Sequence, residues 1–342
     1  MTECSADQLE FHALGKRVVV GKFDGGRISS DGGGLLLREV EARTQILARL
    51  AEQFTDHRDP EAIEHSVAEL IAQRVYALAL GYEDLNDHDR LRLDPLLAVL
   101  VGKAGPSGAD RLLARDRGKP LASSSTLNRL ELTPPEADAS ARYKKNVADP
   151  AGIDRLLVDC LLDADRAHPK EIWPDLDVTD DPLHGHQERR FFHGYCGYYC
   201  YLPLYLFCGE HLLCARLRPA NGDAAAGSVE EVARIVAQVR TRWPSTRIIL
   251  RGDCGFCREE LMAWCEANGV DFLFGLAKNE RLLALSLSAR RQAQIDFLTG
   301  GEASRVFGEF RADDKNPPQV RRSAMHHAHT GELAAVSARA TA

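Results

Sequence analysis

Two aspartates end apolar runs at positions where packing gives no reason for a carboxylate. Asp177 follows Ile172-Trp173-Pro174-Asp175-Leu176, and Asp253 closes Ile248-Ile249-Leu250-Arg251-Gly252, with Gly252 and Gly255 leaving room for close approach. Ligands of open α/β sheets collect at the C-terminal ends of strands, and carboxylates converging there from neighbouring strands make a hard-cation site. Two divalent ions held in this way serve in-line phosphoryl transfer: one activates the attacking hydroxyl and the other stabilises the leaving oxygen. The competing reading is a pair of turn or capping aspartates, the commoner use of Asp after a strand.

Other chemistries compete for the same stretch. Asp175-Leu176-Asp177-Val178-Thr179 resembles the Asp-x-Asp-x-Thr pattern of haloacid dehalogenase-like phosphatases, in which the first Asp is a nucleophile. Pro174 interrupts the lead-in strand, however, and Cys257 and Arg258 stand where such enzymes need a further acid. His184, His186 and His193 with Cys196 and Cys200, or Cys254 with Cys257, are zinc-ligand types, but the spacings are not those of paired zinc hooks. Thiols in an aromatic strand run read as small core residues, and His184 reads as a neighbour of the aspartate site. A nucleic-acid contact is suggested by Ser123, Ser124, Ser125 and Thr126 at a helix start with Arg129 one turn on. Arg111, Arg115, Arg117 and Lys119 before it, and Arg142, Lys144 and Lys145 after it, form a basic cluster, against which stands the reading of a solvated loop and an ordinary cap.

The elements that position these residues are legible in the periodicity. From Gly32 to about Ala167 the chain reads as helices, with Asp59-Pro60, Asp94-Pro95 and Asp149-Pro150 each supplying a capping Asp and a Pro at the first helical position. Ile63, Val67, Leu70, Ile71 and Leu78 form one apolar stripe, stopped by Gly81, and residues 104–120 read as a loop. After His168-Pro169 the period shortens, and Phe191 to Cys214 is a run of strands. Ser228 and Glu231 predict a capping box for a helix carrying Val229, Val232, Val236, Val239 and Trp243. Arg247 to Asp253 reads as a strand, Glu259 to Asn268 as a helix and Val270 to Leu276 as a strand, an order that implies a parallel crossover.

Composition narrows the function classes. At 342 residues the chain is long enough for two domains, and 44% hydrophobic residues build a real core. Forty-three Lys and Arg against 50 Asp and Glu give a net charge of −7, so any DNA contact must come from local patches. Nine cysteines, an odd number, and a polar, acidic N-terminus point to free thiols in a reducing cytoplasm. The richest apolar run, Tyr195 to Cys208, is too short for a membrane span.

Several linked motifs in collinear order then resemble one family. Leu176 to Glu188, followed by Phe192 to Leu204, is similar to the first catalytic block of the DDE transposases of bacterial insertion sequences, group 1, and Arg251 to Phe256 resembles the second block. Phe23 to Gly26, Ser30 to Glu39 and Leu121 to Glu131 are similar to the same branch. The resemblance implies an α/β fold: a ribonuclease H-like mixed sheet with flanking helices, preceded by an α-helical N-terminal domain. The expected boundaries are 1–168 for a DNA-binding region, 169–311 for the catalytic domain and 312–342 for a divergent tail without regular structure. Asp177 and Asp253 become the first two acids of the triad, holding Mg²⁺ or Mn²⁺. Arg111, Arg115, Ser125, Thr126 and Arg129 become DNA contacts. The partners are double-stranded DNA, as terminal inverted repeats and target, and a second copy of the chain. The third acid, a Glu on a later helix, is not recognisable: Glu302 and Glu309 come early in the family's order, and Glu332 has no helical run before it. A catalytically defective transposase is therefore expected, with a DNA-binding remnant as the non-enzyme alternative.

Overall fold

The computed structural model describes residues 8–22, 31–165, 167–277, 280–311, 322–328 and 333–339. It divides into two compact units, Met1–Leu156 and Leu157–Ala342. Residues 23–30, which carry one of the family-like motifs, and Glu332 lie outside the described residues.

The first unit is helical, with two small antiparallel additions that periodicity alone does not reveal. Strands β1 (Gln8–Leu14) and β2 (Arg17–Lys22) form a hairpin. Helices α1 (Gly34–Thr44) and α2 (Ile46–Ala51) follow, and then β3 (Phe54–Asp56). Asp59-Pro60 opens only a single 3₁₀ turn, Pro60–Ala62; the helix itself, α3 (Val67–Ala79), starts at Ser66. The Ser66 hydroxyl accepts from Glu69 N–H at 3.2 Å and Glu69 returns the bond to Ser66 N–H at 2.9 Å, a reciprocal cap that outcompetes the Asp-Pro start by satisfying two orphan donors. The other two Asp-Pro signals act as read. Asp94 caps α4's successor: after α4 (His88–Leu91), the Asp94 carboxylate accepts from Leu96 N–H at 2.7 Å to open α5 (Pro95–Val101). Helix α6 (Ser124–Glu131) and strand β4 (Asn146–Ala148), which pairs with β3, precede α7 (Pro150–Ala164), where Asp149 accepts from Ala151 N–H at 3.0 Å.

One buried polar network fixes where α6 begins. Gln73, on α3, accepts from Ala122 N–H at 2.9 Å and donates to the Ala122 carbonyl at 2.9 Å, so a side chain takes the place of a strand partner for that backbone. The same amide donates to His88 Nδ1 at 3.0 Å, while His88 Nε2 is buried with no partner. Leu70, Ile71, Ala122, Leu127 and Leu130 close around it as one apolar cluster.

The second unit is built on a six-stranded mixed sheet. Its strands are β5 (Glu171–Ile172), β6 (Pro174–Val178), β10 (Leu204–Cys208), β11 (His211–Arg216), β12 (Arg247–Gly252) and β13 (Asp271–Phe274); between β6 and β10 a separate small sheet holds β7 (Asp181–Pro182), β8 (Phe191–His193) and β9 (Tyr198–Tyr201). The order is β11-β10-β6-β12-β13, with β5 also on β12; β6, β10 and β11 run antiparallel, and β6, β12 and β13 are parallel. Helices α8 (Ser228–Arg242) and α9 (Glu259–Ala267) pack on one face with the C-terminal half of α7. There Leu176, Leu204, Leu206, Ile248 and Leu250 meet Val158, Leu162, Val232, Val236, Val239, Trp243 and Leu261. The period-two alternation of β6 sends Asp175 and Asp177 to the other face.

Helix α8 follows its predicted stripe, but the expected capping box is not formed. Gly227, at φ 76°, precedes the helix, Ser228 lies buried inside its first turn, and Glu231 instead receives Arg216 at 2.5 Å and Arg234 at 3.0 Å. Beyond α10 (Glu280–Leu285) and α11 (Leu287–Gly300), strand β14 (Arg305–Arg311) pairs with β15 (Arg322–Ala328), and β15 with β16 (Leu333–Arg339). Part of the segment expected to lack regular structure is thus strand; ladder hydrogen bonds join backbones and do not require an apolar alternation.

Burial pushes His88 down to about 4 and His65, beside Lys103 and Arg111, down to about 3. The unfolded chain takes up these protons first, near pH 6.5, so stability is full above that and falls as pH drops toward 4. Urea unfolding of the protein at pH 7, 6 and 5 should show a falling midpoint, with each histidine contributing at most about 1.4 kcal/mol per pH unit. His88→Gln should make the fall shallower; an unchanged slope would place the acid sensitivity in other groups.

Candidate active site

The parallel pairing of β6 with β12 sets the site. Arg251 lies opposite Asp175 and Gly252 opposite Leu176. The next residues on the two strands are Asp253 and Asp177, so both carboxylates leave the C-terminal edge of adjacent parallel strands, which are separated by about 4.8 Å. Both are exposed, and among the described residues neither is ion-paired. Two residues earlier on the same face, Arg251 binds both oxygens of Asp175, at 2.5 and 2.6 Å, and its guanidinium stands 5.5 Å from the Trp173 ring centroid. Asp175 is thereby neutralised, and Arg251 is held above its ordinary pKa by that carboxylate.

The Asp253 turn is held from several sides. Asp253 Oδ1 accepts from Gly255 N–H at 2.8 Å, and the buried Phe256 ring anchors the turn against Gly252. Gly275, after β13, donates to the Gly252 carbonyl at 3.0 Å and passes so close that a Cβ there would stand 2.9 Å from Cys254 N. The loop before α8 lies alongside: Arg258 donates to Asp223 at 3.0 Å, and Arg218 reaches the carbonyls of Leu202, Ala224 and Ala226. Burial pulls the Arg218 pKa down, more than the nearby Asp223 charge raises it. Sequence reading missed Arg218, Asp223 and Arg258, whose partners come from loops with no period. Thr179 donates to Asp177 Oδ2 at 3.4 Å.

Among the described residues no group of three or more His, Cys, Asp or Glu is placed to hold a metal ion. The zinc reading of His184, His186, His193, Cys196 and Cys200 therefore gains no support; His193 Nδ1 lies 3.1 Å from Cys196 Sγ, and Cys200 is a buried core thiol. Glu302 is exposed after α11, and Glu309 lies in β14 opposite Ala324.

A second cluster lies in the first unit. A cleft of about 840 Å³ is lined by Ser125, Asn128, Arg129, Arg142, Tyr143 and Lys144 among others. The Arg129 and Arg142 guanidiniums stand 5.1 and 4.9 Å from the centroid of the Tyr143 ring. Ser125 and Arg129, expected at the DNA face, thus share one cleft, and Tyr143 is the residue that joins them to Arg142. Thr126 turns its hydroxyl to Ser123 at 3.2 Å and does not line the cleft. Arg115 projects elsewhere, with its side chain 81% exposed. Arg111 is engaged internally: its side chain is 8% exposed and binds Glu64 at 2.7 Å and His65 at 2.5 Å, since a buried guanidinium requires a carboxylate.

Residues 11–332 match the family model for the transposase DDE domain, group 1. The chain belongs to this family. Comparison with curated proteins gives no match. Membership agrees with the collinear motifs, and it removes the phosphatase reading, whose nucleophile would be the Asp175 already claimed by Arg251. DNA is the substrate class of transposases, and no helix among the described residues is long and apolar enough to cross a membrane.

Cys254, next to Asp253, is exposed, whereas burial pushes the Cys214 and Cys265 thiols up to about 12 and raises Cys208 as well. Alkylation mapped by mass spectrometry should therefore mark Cys254 well before these three. Equally early labelling of Cys214 and Cys265 would mean that the buried face of the sheet opens in solution.

Proposed function

We propose that the chain is a DDE transposase of a bacterial insertion sequence in which Asp177 and Asp253 are the first two acids of a ribonuclease H-like catalytic domain. The carrying observation is the β6–β12 register, which brings these two carboxylates abreast at one sheet edge. The antiparallel β11-β10-β6 meander continued by parallel β12 and β13 supports the fold assignment. Both carboxylates are acceptor-only, exposed and free of paired cations, a donor set that fits part of a Mg²⁺ or Mn²⁺ site. A divalent cation bound there supplies activation of the attacking hydroxyl and charge neutralisation at the phosphate. The chain's own residues orient that site: Gly255 N–H fixes Asp253, Thr179 fixes Asp177, and Arg251 keeps Asp175 out of the donor set. With a complete acidic triad the reaction is hydrolytic cutting at the element's end, followed by attack of the freed 3′-hydroxyl on target DNA, with a second copy of the chain in the assembly; this chain, with two recognisable acids, is proposed to be defective in it.

No third carboxylate joins these two among the described residues. We therefore expect a polypeptide of these 342 residues to bind Mn²⁺ weakly and to leave a terminal-repeat duplex uncut within detection, since loss of a ligand costs at least on the order of a hundredfold in rate. Calorimetric titration should show Mn²⁺ heats in the wild type that vanish when Asp177→Asn and Asp253→Asn are combined. Unchanged heats would remove the site assignment. Robust cleavage abolished by Glu302→Gln, Glu309→Gln or Glu332→Gln would identify that residue as the third acid.

DNA engagement is assigned to the 1–168 region through the Arg129, Tyr143 and Arg142 cleft, with Ser125 and Lys144 beside it and Arg115 and Thr126 as outlying contacts. Binding to a terminal-repeat duplex should weaken steeply with salt, and Arg129→Ala and Arg142→Ala should each lower the log–log salt slope by about one unit. An unaltered slope in both variants would place the DNA face elsewhere.

A further inference from the structure

Among the described residues the largest group of exposed aromatic rings belongs neither to the aspartate edge nor to the cleft of the first unit. It stands on the small sheet β7-β9-β8, inserted directly after the strand that carries Asp177. In that sheet Phe192 is paired with Tyr199 on one face, and Phe191 with Cys200 and His193 with Tyr198 on the other, where Phe191 and Tyr198 are 38% and 39% exposed. The second of these faces is covered at Cys200, which is buried against Leu202, Ala220 and the partly buried Val178. The other presents Phe192, 57% exposed, and Tyr199, 44% exposed, with ring centroids 5.7 Å apart and nearly perpendicular. Tyr195, at the tip of the β8–β9 turn, is 96% exposed. The Arg190 guanidinium lies 4.5 Å from the Tyr199 ring centroid, held by the Gly185 carbonyl and by His186 Nδ1 at 3.0 Å.

Rings left in water are costly unless something covers them. The neighbours of this group are a stacked arginine and histidines. A ring face beside a guanidinium suits a nucleobase with its phosphate, because every base has a π-face and the backbone carries negative charge. Position adds to the chemistry. Only three residues separate Asp177 from β7, so the start of that strand lies at most about 14 Å along the chain from the carboxylate, a span of roughly two nucleotides.

We infer that the open face of the β7-β9-β8 sheet, with Phe192, Tyr199 and Arg190, is a stacking platform for unpaired DNA bases next to the strand end held at Asp177. This inference rests on the transposase reading above and adds to it the state of the DNA at the site: locally unpaired rather than fully duplex. Phe192 and Tyr199 are binding residues in this scheme and take no part in the chemistry.

The test uses the full chain and two fluorescent probes, a fully paired duplex and the same duplex with a short unpaired thymidine tail, compared by anisotropy. The wild type should bind the tailed probe at least about fivefold more tightly, in line with the measured worth of a stacked base. Phe192→Ala and Tyr199→Ala should each remove most of that preference while leaving affinity for the paired probe within about twofold; Tyr199→Phe, which keeps the ring, should retain it. Equal wild-type affinity for the two probes, or a preference that survives both alanine variants, overturns the platform and leaves the transposase reading intact. Failure to bind either probe overturns the DNA engagement proposed above, and the platform with it. Loss of self-association in Phe192→Ala with an unchanged preference for the tail would make the face a protein contact and also overturn the inference.

Discussion

The short parallel ladder between β6 and β12 is the constraint on which the site depends. It contains two residue pairs, Arg251 opposite Asp175 and Gly252 opposite Leu176. A slip of one residue would turn Asp177 into the apolar layer occupied by Leu176 and Leu250, which burial forbids. A slip of two keeps the faces but sets Arg251 against Asp177, which would neutralise a carboxylate proposed above as a cation ligand. The Arg251–Asp175 pair is half-exposed, and such pairs add only about 0–1 kcal/mol to stability. Its contribution is therefore register. Two like charges about 5 Å apart repel by roughly 1 kcal/mol in a solvent-like dielectric, a cost that the apolar layer beneath easily sustains.

Outside the sheet, side chains stand in for backbone partners. Arg218 binds three carbonyls beside the Asp253 turn, and Gln73 makes both hydrogen bonds of Ala122 ahead of α6. In both places a loop that no ladder supports must hold a fixed course next to a proposed functional group. A buried amide or guanidinium bonded to backbone is expensive to disturb, because each lost partner leaves a desolvated polar atom. The two loops are thus specified by residues distant in sequence, which explains why neither Arg218 nor Gln73 is marked by any local pattern.

The legibility of the chain follows the same division. Where a residue's role depends on its own element, sequence suffices: the stripe of α8, the apolar run of β12 and the Asp94 and Asp149 caps can all be read from spacing. The parallel order of β12 and β13 follows from the intervening helix. Competition between local signals is harder. Asp59-Pro60 and Ser66 with Glu69 both announce a helix start, and only the reciprocal cap prevails. Ser228 and Glu231 have cap spacing, yet Glu231 lies nearer two arginines, one of them across the unit's fold in β11. Arg111 reads as a surface cation until Glu64, forty-seven residues away, is seen to claim it.

That last case shows how the cations of an acidic protein divide into two groups. Many of its arginines are spent on carboxylates: Arg74 on Glu131, Arg92 on Asp116, Arg216 and Arg234 on Glu231, Arg247 on Asp271. Arg129, Arg142 and Arg190 have aromatic rings beside them. A guanidinium stacked on a ring keeps its in-plane N–H donors, whereas one bound to a carboxylate gives up both charge and donors. The net charge of −7 is consequently a poor measure of the charge that any one surface presents. Among the described residues the arginines with a ring beside them and no carboxylate pair lie in the cleft beside α6 and on the sheet that follows Asp177, whereas Arg251 has both Trp173 and Asp175 beside it.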